Sequence, residues 1–506
     1  MYKVLKSDKD TYITDRLIKG VRSHSSNVGN AGSLDLFKLY GHTLSGSTPN
    51  VELSRLLIHF NLQPLRDLVA LKRVDISNPS FECTLKLFDV YGGQPTPNNF
   101  SVAVFPLSRS FDEGLGRDVV YYSDSDVCNF LTGSDAQGPW LLSGCALGGG
   151  LPGSVDYVTA STQINGGASL KKSQTFQTGE ENLEINVTTL VSATIANLLP
   201  DEGFRISYDQ THETDQFSYF VKRFASQTAF NEDKRPRLIV KYDDSIQDDS
   251  QALYLDSPST LVLYNYSRQA LANITSGSLL TQITGSNSLI LKLATEISGG
   301  AYTLAFTGSQ LYNGIYPVTG VYSASVTLSS NDATYKSKLL QSSSIKLIPI
   351  WGSLDGSVAY LTGSAIYAYP AQRGATSLDP KRFVVTVHEV RDTYRSNEET
   401  VLRVNIFDHT SPLVKASRLP VEQSSLVVRD VHYQVRDDVT GNIEIPFDLS
   451  KNSTRCSSDA SGMYFRIDTS NLTVNRSYVI DVMIITGNNR QTYLATSPVF
   501  RVSDLR

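Results

Sequence analysis

Two pairs of neighbouring carboxylates are the residues best suited to acid/base chemistry in this sequence: Asp124 with Asp126 in YYSDSDVCN, and Asp243 with Asp244. Glycoside hydrolysis needs two carboxylates facing one substrate about 5 to 10 Å apart. These neighbours sit in polar, serine-rich segments and read as solvated turn residues. As calcium ligands they fall short, because an isolated Asp-x-Asp does not supply the six or more oxygens the ion collects. The seven histidines, His24, His42, His59, His212, His388, His409 and His432, are dispersed, and none sits in an HExxH pattern. His212 and Glu213 in DQTHETDQ are an acid and a base side by side, yet the segment reads as a polar loop with no third group to orient them. No GxSxG nucleophile elbow occurs. Cys83, Cys128, Cys145 and Cys456 are spaced too widely for a compact zinc site. Buried free thiols are their expected state, with one Cys128–Cys145 bridge as the alternative. The sequence therefore predicts no catalytic, cofactor-binding or metal-binding residue. Aromatic side chains remain: 26 tyrosines but only two tryptophans, Trp140 and Trp351. Trp140, in GPWLLSG, is the candidate contact for a protein partner or a glycan, since its ring suits both interface hot spots and sugar stacking.

The elements that position these residues read as strands. Short alternating runs bounded by Gly, Ser, Asn and Pro recur along the chain: LDLFKLYG, FSVAVFPL, GFRISYD, VYSASVTL, FVVTVHEV and SYVIDVMII. Each has the length of one sandwich strand. The best helical pattern is TTLVSATIANLL, residues 188–199. RPRLIVKY at 235–242 alternates from its proline onward and closes a domain, because the acidic DDSIQDDS that follows has the composition of a linker. A Gly/Ser-rich span, 134–168, reads as a long surface loop or insertion. QRGATSLDP at 372–380 marks the next break. The expected organisation is all-β, with tandem sandwiches: residues 1–243 with the insertion, an immunoglobulin-like block at 251–375, and a C-terminal sandwich at 377–506.

Length and composition bound the function. At 506 residues the chain is too long for one ordinary core. Forty-five Lys and Arg are scattered among 50 Asp and Glu, for a net charge of −5. That excludes the concentrated basic stripe that nucleic acid requires. The charged start MYKVLKSDKDTYITDRL has no apolar signal region, and no run of about 18 apolar residues suits a membrane span. Asn-x-Ser/Thr triplets are frequent but arise by chance in so Ser/Thr-rich a chain, so they imply no glycosylation.

Several of these segments, taken in order, resemble one family. DTYIT at 10–14, ELSRLLIHFNL at 52–62, TLKLFDVYG at 84–92, SFDEGLGRD at 110–118, LEINVTTLV, DEGFRISYD and RPRLIVKY are similar to successive pieces of the DNRLRE-type β-sandwich, a carbohydrate-binding-module-like domain of bacterial surface proteins. The resemblance covers about residues 1–243 and implies a jelly-roll-like sandwich. Two departures bear on sugar binding: Leu183 stands where that module usually has tryptophan, and the Gly/Ser insertion is extra. The whole chain is similar in style to virion structural proteins of tailed bacteriophages. That resemblance implies a non-enzymatic neck, collar, tail or baseplate component, made in the host cytoplasm and packed in many copies on other virion proteins. The alternative is an extracellular or cell-surface adhesin that binds a host-surface polysaccharide.

Overall fold

The closing strand shows how alternation builds the first block. In Arg237–Lys241, Leu238 and Val240 are fully buried, while Arg237, Ile239 and Lys241 are half-buried. The strand lies between the opening strand Tyr2–Lys6 and Glu82–Leu87, in a four-stranded sheet whose far edge is Leu183–Asn186. This is a computed structural model, and it describes the chain except for residues 42–49, 72–73, 91–96, 247–251, 268–269, 278–279, 298–299, 314–315, 371–382, 409–424, 460, 487–488 and 505–506. The break at 372–380, most of the acidic segment after Ile246, His42 and His409 lie outside the described residues.

A seven-stranded sheet forms the other layer of this block. Its order is Lys172–Phe176, Phe100–Pro106, Phe204–Tyr208, Asn50–His59, Ser33–Gly41 and Tyr219–Ala225, with Lys9–Thr14 also paired to Asn50–His59. Each segment that resembles the DNRLRE-type module contributes a strand to one of these two sheets, except SFDEGLGRD, which is a turn. The helical pattern holds over Thr188–Ile195, where Leu190, Val191, Ala193 and Ile195 are buried.

By packing, Lys3–Ala70 and Phe81–Lys241 form one unit, and Met1–Tyr2, Leu71–Ser80 and Tyr242–Arg506 form a second. Within the second unit, the strands of residues 252–369 and those of 383–503 belong to separate sheets. The earlier strands make one eight-stranded sheet: Ala252–Tyr254, Ile366–Tyr369, Ile345–Gly352, Leu289–Ile297, Gly300–Asn313, Tyr316–Val326 and Ser259–Tyr264, with Ala359–Thr362 beside Ile345–Gly352. Strands from both ends of that order, through Leu253 and Leu261, share a core with Leu291, Tyr322 and Leu347, so the sheet folds over on itself. The later strands form a four-stranded and a six-stranded sheet. Tyr433 of the larger stacks on Phe465 of the smaller at 4.3 Å between centroids, and its hydroxyl donates to the Arg466 carbonyl at 3.1 Å. The chain is thus all-β, built from tandem sandwiches.

One detail departs from the expected linker. The Ile246 N–H donates to Ser457 Oγ at 3.0 Å, and the Ser458 N–H donates to the Ile246 carbonyl at 3.0 Å. Ile246 of the acidic segment therefore lies against Ser457–Asp459, the end strand of the four-stranded sheet. Composition hid this because the segment contributes only the backbone groups of Ile246 to these bonds.

Candidate functional site

Side chains alternate across a strand, so Arg55 and Leu57 share one face of the seven-stranded sheet, and Arg205, directly opposite Leu57, shares it too. This face is covered by the long excursion between Pro106 and Lys172. Ile13 and Leu57 from the sheet pack with Phe111, Cys128, Trp140 and Cys145 from the excursion in one buried cluster.

Two buried arginines fasten the cover. Arg55 is bidentate to Glu213, with Nε and Nη2 donating at 3.0 and 2.9 Å, and its Nη1 donates to the Gly144 carbonyl at 2.7 Å. Arg205 donates from Nε to the Cys145 carbonyl at 2.9 Å and from Nη1 to Ser207 Oγ at 2.8 Å. Its guanidinium also lies 4.3 Å from the centre of the Tyr157 ring. Its Nη2 stands 3.8 Å from Glu213 Oε1, so one carboxylate serves two cations, and carbonyl dipoles and a ring face satisfy the rest, as burial of charge demands. Burial works against the charge of Arg55, but Glu213 outweighs it and raises the guanidinium's affinity for its proton. The same pairing outweighs burial at Glu213 and holds its carboxyl below the usual range.

The turn in SFDEGLGRD closes by the same logic. Asn27 is 1% exposed and donates from Nδ2 to the carbonyls of Glu113 and Cys128, both at 2.8 Å. Its Oδ1 accepts from the Gly116 N–H at 2.7 Å. A Cβ on Gly116 would stand 1.9 Å from the Asn27 carbonyl oxygen, which is why glycine is required there. The turn also carries Glu113 back to the strand Lys9–Thr14, where its Oε1 accepts from the Asp10 N–H at 2.8 Å. Gln227 bridges the two carboxylates: its N–H donates to Asp10 Oδ2 at 2.7 Å and its side-chain amide donates to Glu113 Oε1. Asp10 is 1% exposed, and its Oδ1 accepts no hydrogen bond among the described residues. Burial, reinforced by the Glu113 charge, pushes its carboxyl up to about 8.

Inside the excursion, the buried Asp156 carboxylate accepts from the N–H groups of Leu141, Leu142 and Leu147 at 2.8, 3.1 and 3.0 Å. Short ladders, Thr132–Ser134 with Gly138–Pro139 and Gly148–Gly149 with Tyr157–Val158, complete it. The expected surface loop is therefore a built layer with its own core. Its outer side exposes leucines: Leu131 at 41%, Leu141 at 46%, Leu142 at 52% and Leu151 at 69%.

No family model matches this chain, and no curated protein matches it either. Among solved structures, the N-terminal Ig1-2 module of the Drosophila receptor protein tyrosine phosphatase DLAR is similar at 6% identity, covering 52% of this chain and 97% of its own, with a TM-score of 0.15. The FN1-FN3 domains of chicken CNTN1 are similar at 13% identity, covering 59% of this chain and 72% of their own, with a TM-score of 0.14. Scores this low carry no weight for fold or function.

Trp140 is not an open contact: it is 5% exposed, and its indole N–H donates to the Asn129 carbonyl at 3.0 Å. An apolar ring beside Cys128 and Cys145 fills the layer's core, so neither partner nor glycan reaches it. All four cysteines are buried free thiols, and burial pushes Cys145 up to about 12. Asp124 and Asp126 are exposed turn residues, with Asp124 Oδ1 accepting from the Asp126 N–H at 3.0 Å. DQTHETDQ is not a plain polar loop but holds the helix Gln210–Thr214, which delivers Glu213 to the arginines. Sequence reasoning missed that clamp. The available signal was Arg55 and Arg205, charges set inside otherwise apolar strand patterns.

Proposed function

We propose that this chain is a non-enzymatic structural component of a tailed-phage virion, at the neck, collar, tail or baseplate, acting by protein–protein assembly. The observation that supports this reading is the layer between Pro106 and Lys172. It is pinned by Arg55, Arg205 and Asp156 and carries exposed leucines on a fixed backbone. Apolar side chains held rigidly lose little entropy on docking, and many copies arranged by particle symmetry turn modest contacts into strong retention. The inward groups have structural partners, and burial leaves the thiols protonated at neutral pH, which weighs against nucleophilic catalysis. Cryo-electron microscopy of the native particle tests the proposal. Repeated copies with this layer seated on a neighbouring protein are expected, whereas copies whose layer faces solvent throughout overturn it. A second reading, an adhesin for a host-surface polysaccharide, draws on exposed tyrosines of residues 252–369 rather than on Trp140.

A further inference from the structure

The eight-stranded sheet contains an opening in its ladder. Leu289–Ile297 pairs with Ile345–Gly352 only as far as Ala294 opposite Ile348, although both strands run on. Beyond that pair, Leu289–Ile297 continues with Gly300–Asn313, and Ile345–Leu347 pair instead with Ile366–Tyr369. A cavity of about 260 Å³ lies where the two strands part. The helix Ala333–Gln341 walls one side. Asp332 caps its first turn, accepting from the N–H groups of Thr334 and Tyr335, and the fully buried Tyr335 anchors it in the core. Lys338 and Gln341 follow Tyr335 at three-residue steps, so the anchor directs both along one stripe of the helix.

The walls mix polar side chains with Ala294, Ile345 and Ile348, and include two lysines. Lys338 and Lys346 line the cavity together with Gln341, Ser342, Ser344 and Thr295. Among the described residues, neither lysine forms an ion pair or side-chain hydrogen bond. An aromatic track leads away from the cavity. Tyr367 stands directly opposite Lys346 in antiparallel register and therefore on the same face, 42% exposed. Tyr369 follows two residues on at 37% exposure, with its ring 5.8 Å from that of Tyr254 on the next strand.

We infer that this face binds an acidic saccharide, with a carboxylate of one ring held between Lys338 and Lys346 and the following rings lying on Tyr367 and Tyr369. The inference rests on the adhesin reading and locates its site. Three observations carry it: two lysines without ion-pair partners among the described residues lining one cavity, hydroxyl- and amide-bearing residues lining it with them, and tyrosines in register beside it. The cavity is slightly smaller than the roughly 300 Å³ at which sites for drug-sized ligands begin, which suits one sugar unit with the rest of the polymer outside. The chain's net charge of −5 opposes indiscriminate adsorption of a polyanion, so retention has to come from a local site.

Native affinity electrophoresis of the full chain in gels containing polygalacturonate tests this, with fully methyl-esterified pectin as the uncharged counterpart of the same backbone. Retardation by the acid polymer alone is expected. Lys338→Ala with Lys346→Ala should weaken it by about tenfold, and Tyr367→Ala by about fivefold. Lys336→Ala, on the same helix but outside the cavity wall, should leave it unchanged. These side chains are at least partly exposed, and unaltered melting temperatures check that the variants fold. Retention that survives the double lysine change, or falls equally with Lys336→Ala, overturns the site while saccharide binding itself stands. No retention by the acid polymer overturns the site together with the adhesin reading for acidic glycans.

Discussion

At the scale of single residues, two buried titratable groups give stability opposite slopes with pH. Asp10 keeps its proton up to about 8 in the fold, whereas the unfolded chain releases it near the ordinary carboxyl value of about 4. The folded state holds the extra proton between those values, so stability declines as pH rises through that window. Asp10→Asn retains the acceptor for the Gln227 N–H and places an amide where Oδ1 lacks a donor. Chemical denaturation should show it more stable than the parent by about 1–3 kcal/mol at pH 8, with the advantage vanishing near pH 4. An equal effect at both pH values would refute the assignment. His432 runs the other way. It is 2% exposed, its Nδ1 has no partner among the described residues, and burial together with Arg455 lowers it to about 4. The unfolded chain takes up this proton near 6.5 and the fold does not until about 4, so stability falls as pH drops across that range. His432→Leu should flatten this acid-side slope in a melting-temperature profile, and an unchanged slope would assign the loss to other groups.

At the scale of elements, the decisive joint is the one between the seven-stranded sheet and its cover. Arg55→Ala leaves the half-buried Glu213 without its bidentate partner and removes the donor to Gly144, so a loss of about 3–5 kcal/mol is expected. The loss should be uneven: hydrogen exchange should rise between residues 107 and 171 before it rises in Glu82–Leu87. Uniform acceleration would mean that the arginine supports the sandwich as a whole. The strands themselves were legible, because alternation is local: Arg237–Lys241, Phe100–Pro106 and Ser477–Thr486 lie where their patterns place them. The clamp was not, since Arg55 and Glu213 are 158 residues apart and each looks solvated in its own neighbourhood. Trp140 misled for a related reason. Gly/Ser-rich sequence signals a loop, while the carboxylate of Asp156 and the side chain of Asn129 organise such a loop into a layer with an interior.

At the scale of the whole molecule, assembly and stability should separate. Leu142→Ser with Leu151→Ser removes apolar surface that the isolated chain leaves in water, so its melting temperature should stay within a degree or so of the parent. Incorporation into particles, followed by sedimentation and mass spectrometry, should drop several-fold. A folded variant that incorporates normally would move the docking surface elsewhere. The two hydrogen bonds between Ile246 and Ser457–Ser458 bear on the opposite hazard, contacts that ought not to form. A terminal strand with unsatisfied N–H and C=O groups is a template on which further strands add without limit. Here part of that template is covered by Ile246, more than two hundred positions earlier in the chain. Ile246 is therefore expected to act as a polymerisation stop for the last sandwich. A fragment cut after the acidic run should precipitate as fibres, whereas one that begins at Tyr242 carries its own stopper and should stay in solution.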